Sequence, residues 1–190
     1  MKNAAACVIV AAAGCLYGPQ THAQALPQEL RTSLPAASLS GQAVFTYWGF
    51  EVYRAALWVA PGFAAQAYGQ SPFALELAYL RDFKGADIAR RSMSEMRRQG
   101  PLAPAQEAEW ENQMRALFPD VSNGDRIIGV NQPGTGAVFW SNGRLLGEVR
   151  DPVFAKLFFG IWLSPRTSEP ELRRALLPQE KPGAPARPAS

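Results

Sequence analysis

Residues 151–164 read DPVFAKLFFGIWLS, a run in which Lys156 is the only charge after Asp151. A helix that spans the hydrocarbon core of a bilayer needs about 20 consecutive apolar residues, and Pro152 and Pro165 enclose far fewer. Asp accepts hydrogen bonds from the first free N–H groups of a helix, and Pro fits the first helical position. The run therefore predicts a short helix, starting after Asp151, that is buried in the core of a domain.

Two paired strands are predicted between residues 38 and 60, a segment dense in aromatic and β-branched residues, with their turn at Trp48-Gly49. Residues two apart on a strand share a face. In the second strand the apolar face consists of Tyr53, Ala55, Leu57 and Val59. Arg54 and its even-numbered neighbours lie on the other face.

A third strand is predicted after Pro72, and one of its faces stays apolar until its last position. That face consists of Phe73, Leu75, Leu77, Tyr79 and Arg81. An apolar row that ends in a phenol and a guanidinium suits a carboxylate with an apolar tail. Tyr79 and Arg81 are therefore candidate ligand-binding residues, and Tyr53 and Trp58 are further candidates. The alternative is that Arg81 pairs with a carboxylate at the edge of the core and that the aromatic residues only pack.

Two helices follow, the first predicted from Asp87 to a stop at Gly100-Pro101. Its arginines recur seven residues apart and form one basic stripe, Arg90, Arg91, Arg97 and Arg98. The stripe is either a binding surface for an anion or a solvated helix face. The second helix, about residues 105–118, carries core-facing residues at helical spacing and acidic residues on its other side. The acidic residues, Glu107, Glu109 and Glu111, are placed to face the stripe if the helices pack side by side.

Three short strands are predicted after Pro119, and Asn142-Gly143 is a strong signal for a two-residue hairpin between the last two. Gly134 and Gly136 do not form a phosphate loop, because no Lys-Ser or Lys-Thr follows them. Residues 168–171, Ser-Glu-Pro-Glu, predict a capping box ahead of a last helix. This order of elements predicts an α+β fold in which an antiparallel β-sheet packs against a layer of α-helices.

Residues 1–25 are predicted to be an export signal: Lys2 precedes an uncharged apolar stretch, and small residues follow at cleavage spacing. Cleavage is expected after Ala23 or Ala25, with a periplasmic product; lipidation at Cys15 is the alternative. The expected domain spans residues 26–177. Residues 178–190, rich in Pro, Ala and charge, are expected to form a disordered tail.

Removal of the signal would also remove both cysteines, Cys7 and Cys15, and the only histidine, His22. That loss excludes disulfides, thiol nucleophiles, serine–histidine relays and zinc sites built on Cys or His. The sequence thus predicts neither a metal nor a cofactor. The net charge falls from +3 to +2 with the loss of Lys2, too little to indicate a nucleic-acid partner, and no transmembrane segment is expected after the signal is removed.

The ordered set of motifs resembles the exported bacterial chalcone isomerase-like proteins over about residues 39–177. In the C-terminal half the matching positions are Asn123-Gly124-Asp125-Arg126-Ile127-Ile128, Pro133-Gly134-Thr135-Gly136, Asn142-Gly143, Gly147, Asp151, Phe154, Phe158-Phe159, Ile161-Trp162-Leu163 and Arg174-Ala175-Leu176-Leu177. In the N-terminal half they are Gly41, Val52-Tyr53, Ala56-Leu57-Trp58-Val59, Leu77-Ala78-Tyr79 and Arg81-Asp82. The resemblance implies an open-faced β-sandwich with an apolar cleft between sheet and helices.

The resemblance does not carry the isomerase chemistry with it. In the plant enzymes an arginine ahead of the first long strand pair steers a phenolate, and a threonine and a tyrosine hold the ketone oxygen. Residues 41–45 here, Gly-Gln-Ala-Val-Phe, contain no arginine. Trp48 stands at the threonine position, with Thr46 nearby. A fold alone does not determine an activity.

Three functions remain open from the sequence. The first is a non-catalytic exported domain that binds a small apolar, acidic, fatty-acid-like ligand, as the fatty-acid-binding relatives of this fold do. The second is an isomerase or lyase acting on an unsaturated carbonyl compound, which would lack a histidine near neutral pH. The third is an envelope protein that acts through contact with another protein. An open apolar pocket would favour binding, and a cleft filled by Phe158, Phe159 and Trp162 would favour contact.

Overall fold

The computed structural model describes residues 24–178. Residues 1–23 of the predicted signal and residues 179–190 of the predicted tail lie outside the described residues. Within the described part, the elements form one sheet and one main layer of helices.

Six strands pair antiparallel in chain order, each with the next, so the sheet is a simple meander. The strands are β1 (Ser38–Tyr47), β2 (Phe50–Val59), β3 (Phe73–Tyr79), β4 (Arg126–Gln132), β5 (Gly136–Ser141) and β6 (Arg144–Val149). The predicted antiparallel sheet is confirmed. The turn signals at Trp48-Gly49 and Asn142-Gly143 located two of the hairpins, whereas residues 80–125 form a long connection between β3 and β4.

Five α-helices and one 3-10 helix are present in residues 24–178. The α-helices are α1 (Leu30–Ser33), α2 (Gly85–Arg97), α3 (Pro104–Leu117), α4 (Pro152–Leu163) and α5 (Pro170–Leu176), and the 3-10 helix is Ala65–Gln70. Helices α2 to α5 share the main hydrophobic core with one face of the sheet. The other face carries a smaller cluster that includes Leu30 and Leu34 from the α1 region. The predicted layer of helices on a sheet is therefore confirmed.

Helix α4 is the predicted buried helix. Asp151 Oδ1 accepts hydrogen bonds from the backbone N–H groups of Val153 (2.8 Å) and Phe154 (3.1 Å), as an N-cap does. Its Oδ2 accepts a further bond from Trp110 Nε1 at 3.0 Å, which ties the start of α4 to α3. Phe154 and Phe159 have no exposed surface. The opening stretch of the sequence is thus the part of the helical layer that seals the sheet.

Both predicted hairpins form, with different residues at the first turn position. Asn142 and Gly143 have φ values of 47° and 84°, and Trp48 and Gly49 have φ values of 51° and 78°. Positive φ at both central residues is the pattern of a type I′ turn, whose twist matches that of the strands.

Two helix starts differ from the prediction. Helix α2 begins at Gly85, two residues before Asp87, because Asp120 Oδ1 accepts the Gly85 N–H at 3.0 Å and so supplies a cap from a distant segment. The capping box at residues 168–171 does not form. Ser168 Oγ instead donates to Glu95 Oε2 at 2.9 Å, a tertiary bond that removes the serine from the start of α5.

Gly85 sits where the start of α2 meets the chain after α3. A Cβ atom added there would collide with the carbonyl oxygen of Phe118 and lie 2.8 Å from that of Pro119. Both atoms belong to the backbone, so neither can rotate away. We expect Gly85→Ala to lower the free energy of unfolding by about 1 to 3 kcal/mol, the usual cost of overpacking, measured by urea denaturation.

The matched control is Gly100→Ala, because a Cβ at Gly100 meets nothing within 4 Å. This variant should keep wild-type stability. Equal denaturation midpoints for the two variants would contradict the close approach at the start of α2.

Candidate functional site

A cavity of about 660 Å³ lies between the sheet and the helical layer. Its sheet wall includes Phe45, Tyr53, Leu77 and Ile127, and its helical wall includes Phe158 and Trp162. This volume falls within the range of about 300 to 1,000 Å³ that small-molecule sites occupy. The aromatic residues of α4 line the cleft without filling it.

Two tyrosines stand side by side in the wall of this cavity. Tyr53 and Tyr79 are paired across β2 and β3, and their ring centroids are 6.2 Å apart in an edge-on arrangement. Trp162 Nε1 donates a hydrogen bond to Tyr53 Oη at 3.0 Å. Since the tyrosine oxygen accepts this bond, its own O–H remains a donor for another acceptor.

Burial raises the pKa of both tyrosines above the ordinary value, because a phenolate is poorly solvated there. Both side chains therefore stay neutral near physiological pH and offer O–H groups rather than charge. An unfolded tyrosine has a pKa of about 10. The contribution of these two tyrosines to the free energy of unfolding is therefore fully present below about pH 10, and it is lost as the pH rises through their higher folded pKa values.

The rim of the cavity is basic and is supplied by α2. Arg90, Arg91 and Arg97, three of the four arginines in the stripe predicted from the sequence, line the cavity, so the stripe borders the cleft. Arg91 Nη2 lies 2.8 Å from Glu95 Oε1, and 60% of the arginine side chain is exposed. A guanidinium carries five N–H donors, so such an ion pair leaves donors that can bind a ligand.

The other rim arginines are also paired. Arg90 lies 2.7 Å from Asp87, and Arg97 lies 2.7 Å from Glu107 of α3. The second pair confirms in part the expectation that the acidic side of α3 faces the stripe. The remaining predicted partners, Glu109 and Glu111, bond within α3 instead.

Two carboxylates, those of Glu95 and Glu169, also line the cavity. Glu95 is buried and accepts the Ser168 hydroxyl, which joins α2 to the segment ahead of α5. Burial raises the pKa of Glu169, and the nearby negative charge of Glu95 raises it further. The rim therefore carries carboxylates among its arginines, since Glu95 lies 2.8 Å from Arg91.

The structure brings together two of the four residues predicted for the site, Tyr53 and Tyr79, and places Arg81 elsewhere. Strand β3 ends at Tyr79, so the alternation that would have put Arg81 on the same face stops before it is reached. Arg81 is exposed, and its Cζ lies 4.7 Å from the ring centroid of Phe50, outside the cavity. The expectation that the apolar row ends in Arg81 is corrected.

Trp58 lies on the opposite face of the sheet. It is five residues from Tyr53 on one strand, and an odd separation places two side chains on opposite faces. Trp58 belongs to the smaller cluster with Leu30 and Ile128, and its Nε1 donates to Glu76 Oε2 at 2.9 Å. The alternation of β2 was sufficient to separate Trp58 from Tyr53 at the level of the sequence.

Neither threonine-related position of the isomerase comparison reaches the cavity. Trp48 is in the hairpin turn with 84% of its surface exposed, and Thr46 is exposed on β1. Of residues 41–45 only Phe45 lines the cleft. The cavity is therefore built without the arginine and the threonine that the plant isomerases use.

Residues 24–178 contain no group of three or more acidic, His or Cys side chains arranged to hold a metal ion. Over the same residues, none of the helices is long and apolar enough to cross a membrane.

The family model described as chalcone isomerase-like matches residues 19–178. The chain belongs to the chalcone isomerase-like family. An uncharacterised protein of Haemophilus influenzae is 28% identical over 141 residues, which cover 74% of this chain and 68% of that protein. The crystal structure of a fatty-acid binding protein of Arabidopsis thaliana matches with a TM-score of 0.60 and 10% sequence identity, over 74% of this chain and 86% of the plant chain. At that identity the match establishes the shared fold.

Trp162 connects the core to the cleft, since it is 6% exposed and donates to Tyr53. We expect Trp162→Ala to lower the free energy of unfolding by about 3 to 5 kcal/mol, the usual cost of removing a large aromatic side chain from a core. The measurement is chemical denaturation followed by circular dichroism.

Trp162→Phe is the matched variant, because it keeps an aromatic ring in the core and removes the N–H donor together with the pyrrole ring. Its loss should be at least the cost of one hydrogen bond, about 1 kcal/mol, and smaller than the loss in Trp162→Ala. A loss below about 1 kcal/mol for Trp162→Ala would contradict the burial of this side chain.

Proposed function

We propose that this protein is a non-catalytic binding protein for a small amphipathic ligand with an apolar tail and an acidic head, of the fatty-acid type. The observation that carries the proposal is the open cavity of about 660 Å³, apolar inside and bordered by arginines. Membership of the chalcone isomerase-like family and the likeness to a plant fatty-acid binding protein support it.

The tail is placed inside, against Leu77, Ile127 and Phe158 of the cavity wall. The carboxylate is placed at the rim, because the tyrosines of the interior stay neutral and a buried carboxylate without a cation is strongly destabilised. Arg91 is the proposed anchor, since it lines the cavity and over half of its side chain is exposed. In this role it replaces Arg81.

An isomerase or lyase acting on an unsaturated carbonyl compound remains a second candidate. The hydroxyls of Tyr53 and Tyr79 favour it, because two neutral O–H donors in an apolar cleft suit a carbonyl oxygen on which charge develops. Against it stands the missing arginine of the isomerase pattern. The third candidate, action through contact with another protein, loses support because the cleft is open.

Binding is tested by titrating the purified, ligand-stripped protein with dodecanoate in a calorimeter. Arg91→Ala should weaken the affinity by about 1.5 to 3 kcal/mol, the range for a hydrogen bond to a charged group. Arg115→Ala is the matched control. Arg115 lies on α3 away from the cavity, and it forms an ion pair with a glutamate four residues away, Glu111, at 2.8 Å. The control should bind as the wild type does.

A second variant tests the cavity without touching charge. Ile161 of α4 is half-buried and lines the cavity, so Ile161→Trp should narrow it and weaken dodecanoate binding while the protein stays folded. Unchanged affinity in both Arg91→Ala and Ile161→Trp would remove the cleft as the binding site. Cyclisation of a chalcone above the solution rate would replace binding by the isomerase function.

We further propose that the protein acts in the periplasm after removal of residues 1–25, on the strength of Lys2, the apolar stretch and the small residues that follow. Expression of the full chain should then yield a soluble product that starts at Gln24 or Leu26, as read by N-terminal sequencing. Cys15→Ser should leave that product unchanged. A product that pellets with membranes and becomes soluble in Cys15→Ser would establish the lipoprotein alternative instead.

A further inference from the structure

The β1–β2 hairpin ends in a group of exposed aromatic side chains that the cleft does not use. Tyr47, Trp48 and Phe50 are 52%, 84% and 60% exposed, and we call these three residues the aromatic tip. Scattered single apolar residues on a surface need no explanation, but three aromatic side chains on one turn form a contiguous patch of the kind that marks an interaction site.

The fold gains nothing from the tryptophan at this turn. Trp48 has a φ of 51°, a left-handed conformation that costs a bulky residue more than it costs Asn or Gly. The second hairpin of the sheet has Asn142 at the equivalent turn position, and its side chain accepts the Arg126 N–H at 2.8 Å and donates to Asp125 at 2.8 Å. Within residues 24–178, the ring contact recorded for Trp48 is the one with Tyr47, at 6.3 Å between centroids. A strained position that exposes its side chain and supports nothing indicates a role outside the fold.

The aromatic tip continues directly into the mouth of the cleft. The ring of Tyr47 lies 6.5 Å from that of Phe45, which lines the cavity. Arg91 of the cavity rim has its Cζ 5.9 Å from the centroid of the Tyr47 ring. A surface that docks through the tip would therefore face the entrance of the cavity.

Two guanidinium groups accompany the tip. Arg81 stacks on Phe50 at 4.7 Å, and Arg91 lies over Tyr47. The acidic residues near these groups include Glu51, which is exposed on β2, and Asp82, which accepts the Asn123 N–H at 3.0 Å. Glu95 lies 2.8 Å from Arg91 and leaves part of the guanidinium exposed. An aromatic cluster with arginines at its side matches the bilayer interface, where indole and phenol rings settle at the headgroup level and guanidinium groups bind phosphate.

We propose that the aromatic tip is a reversible docking surface for a phospholipid bilayer, which presents the mouth of the cleft to lipid. The occupant is the headgroup region of the bilayer, entered by Trp48, Tyr47 and Phe50 and contacted at its phosphates by Arg81 and Arg91. The small net charge of the chain means that insertion of the aromatic rings, and not bulk attraction, supplies the binding. The proposal rests on the proposed function, because it gives a source for an amphipathic ligand.

The test is co-sedimentation of the purified protein with large unilamellar vesicles of phosphatidylethanolamine and phosphatidylglycerol, with the N-terminus of every variant verified by mass spectrometry. Trp48→Asn is the decisive variant, since Asn is the residue that this turn position favours and the fold should be kept or stabilised. Its partition into vesicles should fall about tenfold, equivalent to about 1.4 kcal/mol. Leu145→Asn is the control, because Leu145 is 53% exposed on β6 at the opposite edge of the sheet.

A second readout follows Trp48 itself. Vesicles that carry brominated acyl chains should quench the tryptophan fluorescence of the wild type and of Leu145→Asn, and the quenching should be lost in Trp48→Asn. Wild-type protein that stays in the supernatant, or equal partition of wild type and Trp48→Asn, would overturn the proposal. A dimer in light scattering that Trp48→Asn dissociates would also overturn it, by assigning the tip to self-association.

The docking proposal and the proposed function fail in different measurements. Dodecanoate titration without vesicles should give the same affinity for Trp48→Asn as for the wild type. A protein that binds dodecanoate and ignores vesicles keeps its proposed function and loses the docking surface. A protein that binds vesicles through Trp48 and does not bind dodecanoate has the docking surface and a different cargo.

Discussion

Phe159 of α4 packs edge-on against Phe73 of β3, with ring centroids 4.9 Å apart, and neither side chain has exposed surface. Phe158, one residue earlier, packs against Phe139 of β5 at 5.1 Å. These contacts bury the most apolar helix of the described chain on the middle of the sheet. A helix of 12 residues is too short to span a bilayer, and here the sheet covers its apolar surface. The packing of α4 thus fixes the distance between the helical layer and the sheet beside Phe73 and Phe139.

The cleft exists because this contact does not extend over the whole sheet. Beside Tyr53 and Tyr79, the last turn of α4 contributes Ile161 and Trp162 to the cavity wall. Helix α2 contributes mainly charged residues and serines there, and Ile88 is its one large apolar residue in the wall. The sheet surface there stays apolar, since Leu77 and Ile127 continue the rows that pack under α4. The space between this apolar part of the sheet and the helices is the cleft, and the arginines of α2 border it.

Helix α2 both covers part of the sheet and places three arginines, Arg90, Arg91 and Arg97, at the mouth of the cavity. Each is held by an acidic partner, which fixes the guanidinium groups at the rim. The Arg90–Asp87 pair is exposed on both sides, and such a pair contributes little to stability, so its main effect is to place the charge. The aromatic hairpin meets the same rim through Arg91 and Tyr47. The cavity, its charged border and the exposed aromatic tip thus form one continuous surface.

The fold followed from local patterns because the sheet is a meander. Alternation of apolar residues located β2 and β3, and the turns at Trp48-Gly49 and Asn142-Gly143 joined neighbouring strands. Asp151 caps the start of α4, as expected of an aspartate before a helix. These features depend on residues close in sequence. Where a distant group intervened, the sequence was misleading: Asp120 started α2 early, and Glu95 drew Ser168 away from the cap of α5.

The residues of the site also differ in whether local sequence patterns could place them. Tyr53 and Tyr79 could be found from the sequence, because they continue apolar strand faces, and the same alternation excludes Trp58. Arg81 could not be placed, because the end of β3 is set by tertiary contacts: Leu80 N–H bonds to Val52 and Tyr79 N–H bonds to the Asp125 carbonyl. Arg91 was visible as part of a basic stripe, but a helix pattern does not say what it faces. Only the packing of α2 across the sheet, over residues far apart in the chain, turned that stripe toward the cleft.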